Sequence, residues 1–285
     1  MKRLLIIGCG DVALRTIPLL QGHYRLYALV RNVAQYGRLR ALGVTPISGD
    51  LDDRHSLTRI TGVADIIQHF VPPPASELSD TRTRHWLAAL SRGIPPRKLI
   101  YISTSGVYGD CSGSLVSETH PLNPRAPRAQ LRVSAERQIR IWAERKQTNA
   151  VILRVPGIYA AERLPLERLR SGSPSVAAAQ DGYSNHIHAD DLARVIVAAL
   201  RHGRPNRVYH AADDDQMKMG DYFDAIADAF GLPRPPRLPR TDVQRTVSPL
   251  MWSFMNDSRR LTNVRMKREL KVALQYPTLR EFLIR

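Results

Sequence analysis

Short apolar runs alternate with segments of helical periodicity through the first half of the chain. The runs are flanked by turn residues and are too short for helices, which is typical of buried strands. The predicted strands are 4–7, 25–30, 44–48, 65–70 and 98–103, and the predicted helices are 11–20, 33–42, 56–61 and 79–92. Strands that are spaced by helices in this way predict an α/β fold with a parallel sheet that is covered on both faces.

The second half continues with a long helical segment, a sixth strand and several shorter elements. The predicted elements are helix 126–147, strand 150–155, helices 164–170 and 192–201, strand 207–210 and helix 221–230, and the segments 247–254 and 261–270 complete this half. Asp190 and Asp191 stand just before helix 192–201. Because carboxylates at a helix start accept its free N–H groups, we expect these two residues to cap that helix.

The first predicted strand runs into a glycine turn of the pattern G-x-G-x-x-A, with the sequence Gly8-Cys9-Gly10-Asp11-Val12-Ala13. Gly8 can take the backbone angles of a tight turn, and Gly10 lacks a Cβ that would hold a phosphate away from the backbone. The N–H groups of the following helix start would point at that phosphate. The pattern predicts a dinucleotide pyrophosphate beside these residues, including Asp11, Val12 and Ala13. A glycine turn without a ligand is the alternative.

The end of the second predicted strand discriminates between the two nicotinamide cofactors. An acidic residue there would accept the ribose hydroxyls, whereas an arginine would pair with a 2′-phosphate. This strand ends in Val30-Arg31-Asn32, and no carboxylate follows until Asp50. We therefore expect NADP, with Arg31 on the 2′-phosphate and with NAD as the alternative. Asp50 and Leu51 are expected beside the adenine.

The composition is ordinary except for its charge. The chain has 285 residues, of which 43% are hydrophobic, and it contains no apolar run of about 18 residues that could cross a membrane. The net charge is +16, and only six of the 42 basic residues are lysines. A nucleic-acid partner is one interpretation. Because the arginines are spread along the chain without a basic tail, we favour an arginine-rich enzyme surface and expect no nucleic-acid partner.

Two further features limit the class of protein. The two cysteines, Cys9 and Cys111, give neither a disulfide framework nor a metal cluster. We expect no metal at His186 and His188 either. The apolar run after the basic start is too short for a signal peptide, so we expect a cytoplasmic protein, either a monomer or a homodimer.

Three downstream segments carry more specific motifs. They are Tyr101-Ile102-Ser103-Thr104-Ser105-Gly106-Val107-Tyr108-Gly109-Asp110, Ile152-Leu153-Arg154-Val155-Pro156-Gly157-Ile158-Tyr159 and Asn185-His186-Ile187-His188-Ala189-Asp190-Asp191-Leu192-Ala193. With the glycine turn, they resemble the atypical and extended short-chain dehydrogenase/reductases. The chain is most similar to the NAD-dependent epimerase/dehydratase-like proteins of the YeeZ type.

This resemblance implies a division of the chain. Residues 1–155 would form a Rossmann domain with a doubly wound parallel sheet that binds the dinucleotide. Residues 156–285 would form a smaller, mainly C-terminal lobe that closes over a substrate, with a segment at about 184–210 returning to the sheet.

The resemblance also implies site residues. A serine or threonine at the end of the fifth strand hydrogen-bonds the reacting oxygen in this family, and here that residue is Thr104, with Ser105 as its local rival. Three residues would complete the cofactor site: Val71 and Pro72 after the fourth strand, and Pro156 after the sixth. In the lobe, Arg259 or Arg260 is a candidate to meet a substrate anion.

The family's catalytic helix carries Y-x-x-x-K, and here the chain departs from the pattern. Aligning on Ala135-Glu136 puts Arg132 at the lysine position and Arg128 at the tyrosine position. Arg132 can still hold the nicotinamide ribose, but arginine cannot relay a proton at neutral pH. The alternative acids that we consider, by location, are Tyr108, Tyr159, His186 and Glu118. Of these, Tyr159 and His186 are also candidates to contact substrate.

The sequence therefore predicts an NAD(P)-binding oxidoreductase, epimerase or dehydratase-like enzyme that acts on a small polar or nucleotide-linked substrate. The missing tyrosine keeps a second hypothesis open. In that hypothesis the chain binds NADP as a regulatory or scaffold protein without catalysis.

Overall fold

Seven parallel strands form the central sheet of the computed structural model, which describes residues 1–74 and 79–284. Their order across the sheet is β3-β2-β1-β4-β5-β7-β11. The strands of the described residues are β1 (Lys2–Ile7), β2 (Tyr24–Val30), β3 (Val44–Ser48), β4 (Ile66–His69), β5 (Lys98–Thr104), β6 (Leu115–Val116), β7 (Asn149–Val155), β8 (Gly157–Tyr159), β9 (Ser175–Val176), β10 (His186–His188), β11 (Arg207–His210), β12 (Arg237–Leu238) and β13 (Arg260–Leu261). The order in which successive strands are added to the sheet reverses between β1 and β4. In doubly wound folds, ligands bind at this point.

Helices cover both faces of this sheet and build the lobe beside it. The α-helices of the described residues are α1 (Asp11–Leu20), α2 (Tyr36–Ala41), α3 (Thr81–Leu90), α4 (Pro127–Lys146), α5 (Leu166–Arg170), α6 (Ala189–His202), α7 (Met219–Ala229), α8 (Arg240–Thr246), α9 (Pro249–Met255), α10 (Val264–Leu270) and α11 (Leu279–Leu283). Short 3-10 segments lie at Val33–Gln35, Ser56–Ile60, Ser105–Tyr108 and Ala161–Arg163. None of the helices in the described ranges is long and apolar enough to cross a membrane.

The alternation of side chains along β1 divides the core into two layers. Leu4 and Ile6 pack on the side of α1 and α6, whereas Leu5 and Ile7 pack on the side of α3 and α4. All four are fully buried, as expected for a central parallel strand whose two faces are both covered. The predicted α/β fold with a doubly wound parallel sheet is confirmed.

A separate apolar cluster holds the lobe together, with Tyr159 and Leu169 from the segment after β7 and Tyr222 and Phe223 from α7. Helix α6 packs on α1, and β11 pairs with β7 in the central sheet. Helix α10 also packs against α6 and β11. Part of the chain beyond residue 210 therefore covers the sheet as well.

Several element ends differ from the sequence predictions for local reasons. The segment 247–254 becomes helical only at Pro249, because Pro249 starts α9 and Ser248 caps it by accepting from the Met251 N–H. Helix α6 begins at Ala189 instead of residue 192, and its cap is the His188 ring, which accepts from the Asp190 N–H. The expectation that Asp190 and Asp191 are the caps is therefore wrong.

Candidate functional site

A continuous groove runs along the carboxyl ends of β1, β2, β4, β5 and β7 and consists of three adjoining cavities. The outer cavity reaches from Gly8 to the end of β2, the central cavity lies over Gly10 and the end of β5, and the lobe cavity opens between the sheet and α7 and α9. Gly8 and Gly10 line both the outer and the central cavity. Thr104 and Pro156 line both the central and the lobe cavity, so one elongated ligand could occupy the groove.

The glycine turn at the centre of the groove depends on two glycines for different reasons. Gly8 has a φ of +89°, and a Cβ there would lie 2.4 Å from Val71 Cγ2. Gly10 has a φ of −84° and nothing within 4 Å of its Cβ position. Of these two glycines, the fold itself therefore requires only Gly8. At Gly10 the open space belongs to the groove, where a ligand can approach the backbone closely.

The start of α1 faces the same space. Gly10 is its N-cap and supplies no side-chain hydrogen bond to the helix, so the first N–H groups remain available to an anion. Asp11 follows directly, but its carboxylate is paired with Arg15 at 3.0 Å and with Arg163 at 3.1 Å. These two arginines offset the negative charge that would otherwise repel a pyrophosphate.

The outer cavity carries the residues that we predicted for the adenosine end. Arg31, Asp50 and Leu51 all line it. The Arg31 side chain is 74% exposed and its Nη1 lies 3.6 Å from Asp50 Oδ2. Cys9 lines the same cavity, and burial raises the pKa of its thiol to about 12, so it is a neutral filler at ordinary pH.

Arg132 projects from α4 into the central cavity, where it is held in one orientation. Its Nη1 donates to the carbonyl of Ile102 at 2.7 Å, to the hydroxyl of Tyr101 at 2.9 Å and to the carbonyl of Val71 at 3.4 Å. Burial raises the pKa of Tyr101 to about 12, so this phenol is a neutral acceptor. The guanidinium therefore stands as a fixed cation beside Pro72 and Pro156, which line the same cavity.

Thr104 stands at the junction of the central and lobe cavities. Its Oγ1 accepts from the Gly106 N–H at 3.2 Å and thereby caps the 3-10 turn that follows β5. The hydroxyl proton has no acceptor among the described residues and is available to an oxygen in the groove. Ser105 lines the lobe cavity only, and its side chain is largely buried.

Arginines and aromatic rings line the lobe cavity. Its lining includes the side chains of Arg128, Arg163, Arg259, Tyr183, His186, Tyr222, Phe223, Phe254 and Asp257. His186 stacks on Tyr222 with ring centroids 4.0 Å apart. Burial lowers the pKa of His186 to about 3, so this histidine is neutral at ordinary pH and is no proton donor there.

Tyr108 lies outside the groove, contrary to its placement among the catalytic candidates. It is 1% exposed, and its hydroxyl accepts from Arg154 Nη1 at 2.7 Å and contacts His210 Nε2 at 2.6 Å. Burial raises the pKa of Tyr108 to about 12 and lowers that of His210 to about 3. Because the ring packs under the turn after β5, its hydroxyl is committed to a buried network.

Two other candidates, Tyr159 and Glu118, also lie outside the cavities. Tyr159 is fully buried and packs edge-on against His188 and Phe282. Glu118 is buried, accepts from the His210 N–H at 3.3 Å and lies 3.5 Å from Arg265. These side chains point into apolar or ion-paired core rather than toward a substrate.

Of the two neighbouring arginines named as candidates for a substrate anion, the structure brings only Arg259 to the lobe cavity. Arg260 donates to the Gly113 carbonyl at 2.8 Å and lies over the Tyr183 ring.

Sequence reasoning missed the contributions of Arg163, Tyr222 and Phe254 to the lobe cavity. Arg163 lines both the central and the lobe cavity. Arg163 stands beside a short segment that is rich in arginine, but the sequence does not show which of these arginines faces inward. Tyr222 and Phe254 were indistinguishable in the sequence from packing residues of amphipathic helices.

Comparisons with known proteins agree with this geometry. The model of a family described as the NAD dependent epimerase/dehydratase family matches residues 16–212, more than half of the chain. Human dTDP-D-glucose 4,6-dehydratase is 24% identical over 195 residues, which are 61% of this chain and 55% of the human protein. The chain therefore spans about half the length of this curated relative.

Solved structures match over nearly the whole chain. A functionally unknown conserved protein from Silicibacter pomeroyi superposes with a TM-score of 0.79 at 28% identity, covering 99% of this chain and 97% of that one. The UDP-glucuronic acid 4-epimerase from Bacillus cereus, in complex with NAD, superposes with a TM-score of 0.76 at 18% identity, covering 99% and 96%. At that identity the second likeness shows the fold alone.

Proposed function

Because the chain belongs to the NAD dependent epimerase/dehydratase family, we propose that it binds NADP along the outer and central cavities and acts on a small polar or nucleotide-linked substrate in the lobe cavity. The observation that carries this proposal is the junction at Thr104. There the cavity that fits the nicotinamide end of a dinucleotide meets the cavity enclosed by the lobe.

The described residues fit a dinucleotide along its length. The open backbone at Gly10 and the uncapped start of α1 suit the pyrophosphate. Arg132, already pinned by two carbonyls and a phenol, would present its remaining N–H groups to the nicotinamide ribose. A bound nicotinamide supplies hydride transfer at its C4 carbon.

The preference for NADP over NAD rests on Arg31. Its guanidinium is largely exposed beside the outer cavity, and its only carboxylate within ion-pair distance among the described residues is Asp50, at 3.6 Å. An exposed pair at that distance contributes little, so Arg31 is free to turn toward a 2′-phosphate. Asp50 would otherwise face the ribose hydroxyls, and it is the group that could support NAD.

In the reaction, Thr104 would donate its free hydroxyl proton in a hydrogen bond to the substrate oxygen at which charge develops. Its Oγ1 is held by the Gly106 N–H, which orients the donor toward the groove. Pro156 and the stacked pair of His186 and Tyr222 would enclose the reacting end of the substrate and exclude water.

One observation favours a second candidate function, a regulatory or scaffold protein that binds NADP without turnover. Arg128 lines the lobe cavity at the position that the family resemblance assigns to the catalytic tyrosine. A guanidinium is not deprotonated near neutral pH and so cannot act as a general acid. Among the other cavity side chains, His186 is neutral and Tyr222 has a pKa raised by burial.

The cofactor proposal is tested by titrating the protein with NADPH and NADH and following binding calorimetrically. We expect NADPH to bind about tenfold or more tightly, because a charge-assisted contact to a phosphate contributes about 1.5–3 kcal/mol. The Arg31→Ala variant should lose this preference, and Arg38→Ala, an exposed arginine on α2, should keep it. Equal affinity of the wild-type protein for the two cofactors would refute NADP selectivity.

Catalysis is tested by following nicotinamide absorbance over a panel of carbonyl compounds and sugar nucleotides. Turnover that falls about a hundredfold in Thr104→Ala would exclude the regulatory candidate. Tight NADPH binding without turnover of any panel member, together with unchanged affinity in Thr104→Ala, would favour the regulatory candidate.

A further inference from the structure

Arg128 is a half-buried cation without a counter-charge. It lies on the first turn of α4 and lines the lobe cavity, and none of the described residues forms a hydrogen bond or ion pair with its side chain. Its guanidinium stacks on Phe254, with Cζ 3.7 Å from the ring centroid. Burial lowers the pKa of Arg128, which is the direction expected when a charge loses water without gaining a partner.

The carboxylate that could compensate this charge is already engaged. Asp257 acts on Arg128 only through space, because its Oδ2 is bound by Arg259 Nη1 at 3.1 Å. The same Nη1 also donates to the Gly109 carbonyl at 2.7 Å. Two arginines therefore share one carboxylate at this wall of the cavity, and the net charge of the three side chains is positive.

Arg259 has unused hydrogen-bonding capacity of its own. Its Nε is buried and has no hydrogen-bond partner among the described residues. A buried guanidinium N–H without an acceptor costs free energy, so Asp257 and the Gly109 carbonyl do not fully satisfy this side chain. Among the described residues Arg128 thus has no ion-pair partner, whereas Arg259 has Asp257 but leaves its Nε without an acceptor.

The start of α4 adds a third positive feature on the same wall. Ala126, Arg128 and Ala129 all line the cavity. The helix is 20 residues long, and it has neither a side-chain cap nor an acidic residue in its first turn. Its partial positive charge therefore reinforces the two guanidiniums.

This wall is close to Thr104. A Cβ placed on Gly106 would lie 3.6 Å from Ala129 Cβ and 3.6 Å from Thr104 Oγ1, so only the width of that glycine separates the first turn of α4 from the threonine. A group bound at Arg128 would consequently lie near the atom that Thr104 contacts.

We propose that Arg128 and Arg259 bind an oxyanion of the substrate, a carboxylate or a phosphate, that is attached close to the reacting carbon. This inference rests on the proposed function, because it assigns the lobe cavity to substrate. The position at which the family resemblance places a proton-relaying tyrosine thus serves as an anion anchor, and Phe254 orients its guanidinium plane. The rings of Tyr222 and Phe223 pack against the uncharged body of the molecule.

The experiment measures anion binding without any nicotinamide. Inorganic phosphate, glucuronate and glucose are titrated calorimetrically at constant ionic strength, since ion pairing is screened by salt. We expect phosphate or glucuronate to bind and glucose to bind at least about tenfold more weakly, because glucose lacks the charge that the arginines require. Whichever of phosphate and glucuronate binds more tightly identifies the oxyanion.

Three variants complete the test. Arg128→Gln should weaken anion binding about tenfold or more, Arg128→Lys should keep part of it, and Arg137→Gln, an exposed arginine on the same helix, should leave it unchanged. Thermal unfolding provides a second readout. Without anion, Arg128→Gln should be at least as stable as wild type, and added anion should raise the Tm of wild type and of Arg137→Gln but much less that of Arg128→Gln.

The proposal would be overturned if glucose bound as tightly as the better of phosphate and glucuronate, if wild type and Arg128→Gln had equal anion affinity, or if wild type bound neither anion. The NADPH titrations are independent of this result. A protein that binds anions through Arg128 but no dinucleotide would refute the proposed function alone, and the reverse outcome would refute only the anion site.

Discussion

His69 offers a direct test of how the cofactor side of the sheet is built. It ends β4, immediately before the segment at Val71 that contacts Gly8, and its ring lies between Trp86 and Tyr101 with centroid distances of 4.9 and 5.4 Å. Neither ring nitrogen has a hydrogen-bond partner among the described residues. Burial, and secondarily the nearby Arg132 cation, lowers the pKa of His69 from 6.5 to about 3.

The magnitude follows from proton linkage. Between the two pKa values the folded protein keeps His69 neutral, whereas the unfolded chain takes up a proton. The unfolded state therefore binds more protons, and stability falls as the pH drops below 6.5. From about pH 7.5 to about pH 5, this one histidine removes about 2 kcal/mol from the free energy of unfolding.

The perturbation that isolates this effect is His69→Phe, which keeps a planar ring between Trp86 and Tyr101 and removes the titrating group. Urea unfolding of wild type and variant is compared across the pH range. The stability of the wild type relative to the variant should fall by about 2 kcal/mol between about pH 7.5 and about pH 5. For the control His23→Gln, at an exposed residue, the difference from wild type should stay constant. A constant difference for His69→Phe would refute the burial argument.

Two further pairs of variants test the groove and its support. Gly8→Ala should destabilise the fold by at least about 1 kcal/mol, since it combines a positive φ with a clash against Val71. Gly10→Ala should lose much less stability in urea unfolding, yet it should lose dinucleotide binding in the same calorimetric titration as above. Glu136→Gln should cost about 3–5 kcal/mol in urea unfolding, because it leaves the Arg154 charge buried and unpaired. The double variant with Arg154→Met and Glu136→Leu should lose less than that single variant, and a larger loss would contradict the desolvation argument.

The sheet could be predicted from sequence because its signal is local and repeated. Each buried strand is a short apolar run, and the right-handed crossovers leave few orders in which such strands can assemble. The glycine turn was predictable for the same reason, since its G-x-G-x-x-A pattern lies within six consecutive residues. Both glycines line the groove in the structure.

The lobe cavity could not be predicted in the same way, because its walls come from segments far apart in the chain. Arg128 on α4 meets Phe254 on α9, and His186 on β10 stacks on Tyr222 of α7. No spacing rule relates such positions. The sequence shows that Arg128 stands where the family pattern has a tyrosine. It cannot show that this arginine lacks a counter-ion, because that depends on how Asp257 is shared between two arginines.

The motif at residues 101–110 is the most distinctive in the sequence, and its side chains mainly hold the backbone of the groove in place. Glu136 accepts from Ser103 Oγ at 2.6 Å and binds Arg154 through both carboxylate oxygens. Arg154 then donates to the Tyr108 hydroxyl at 2.7 Å. This buried chain joins α4, β5, β7 and the turn after β5 directly beneath Thr104. Tyr108 is therefore part of the buried network that supports the turn after β5. The motif can thus persist although Arg128 stands where the family resemblance places tyrosine, because its buried side chains hold the backbone around Thr104.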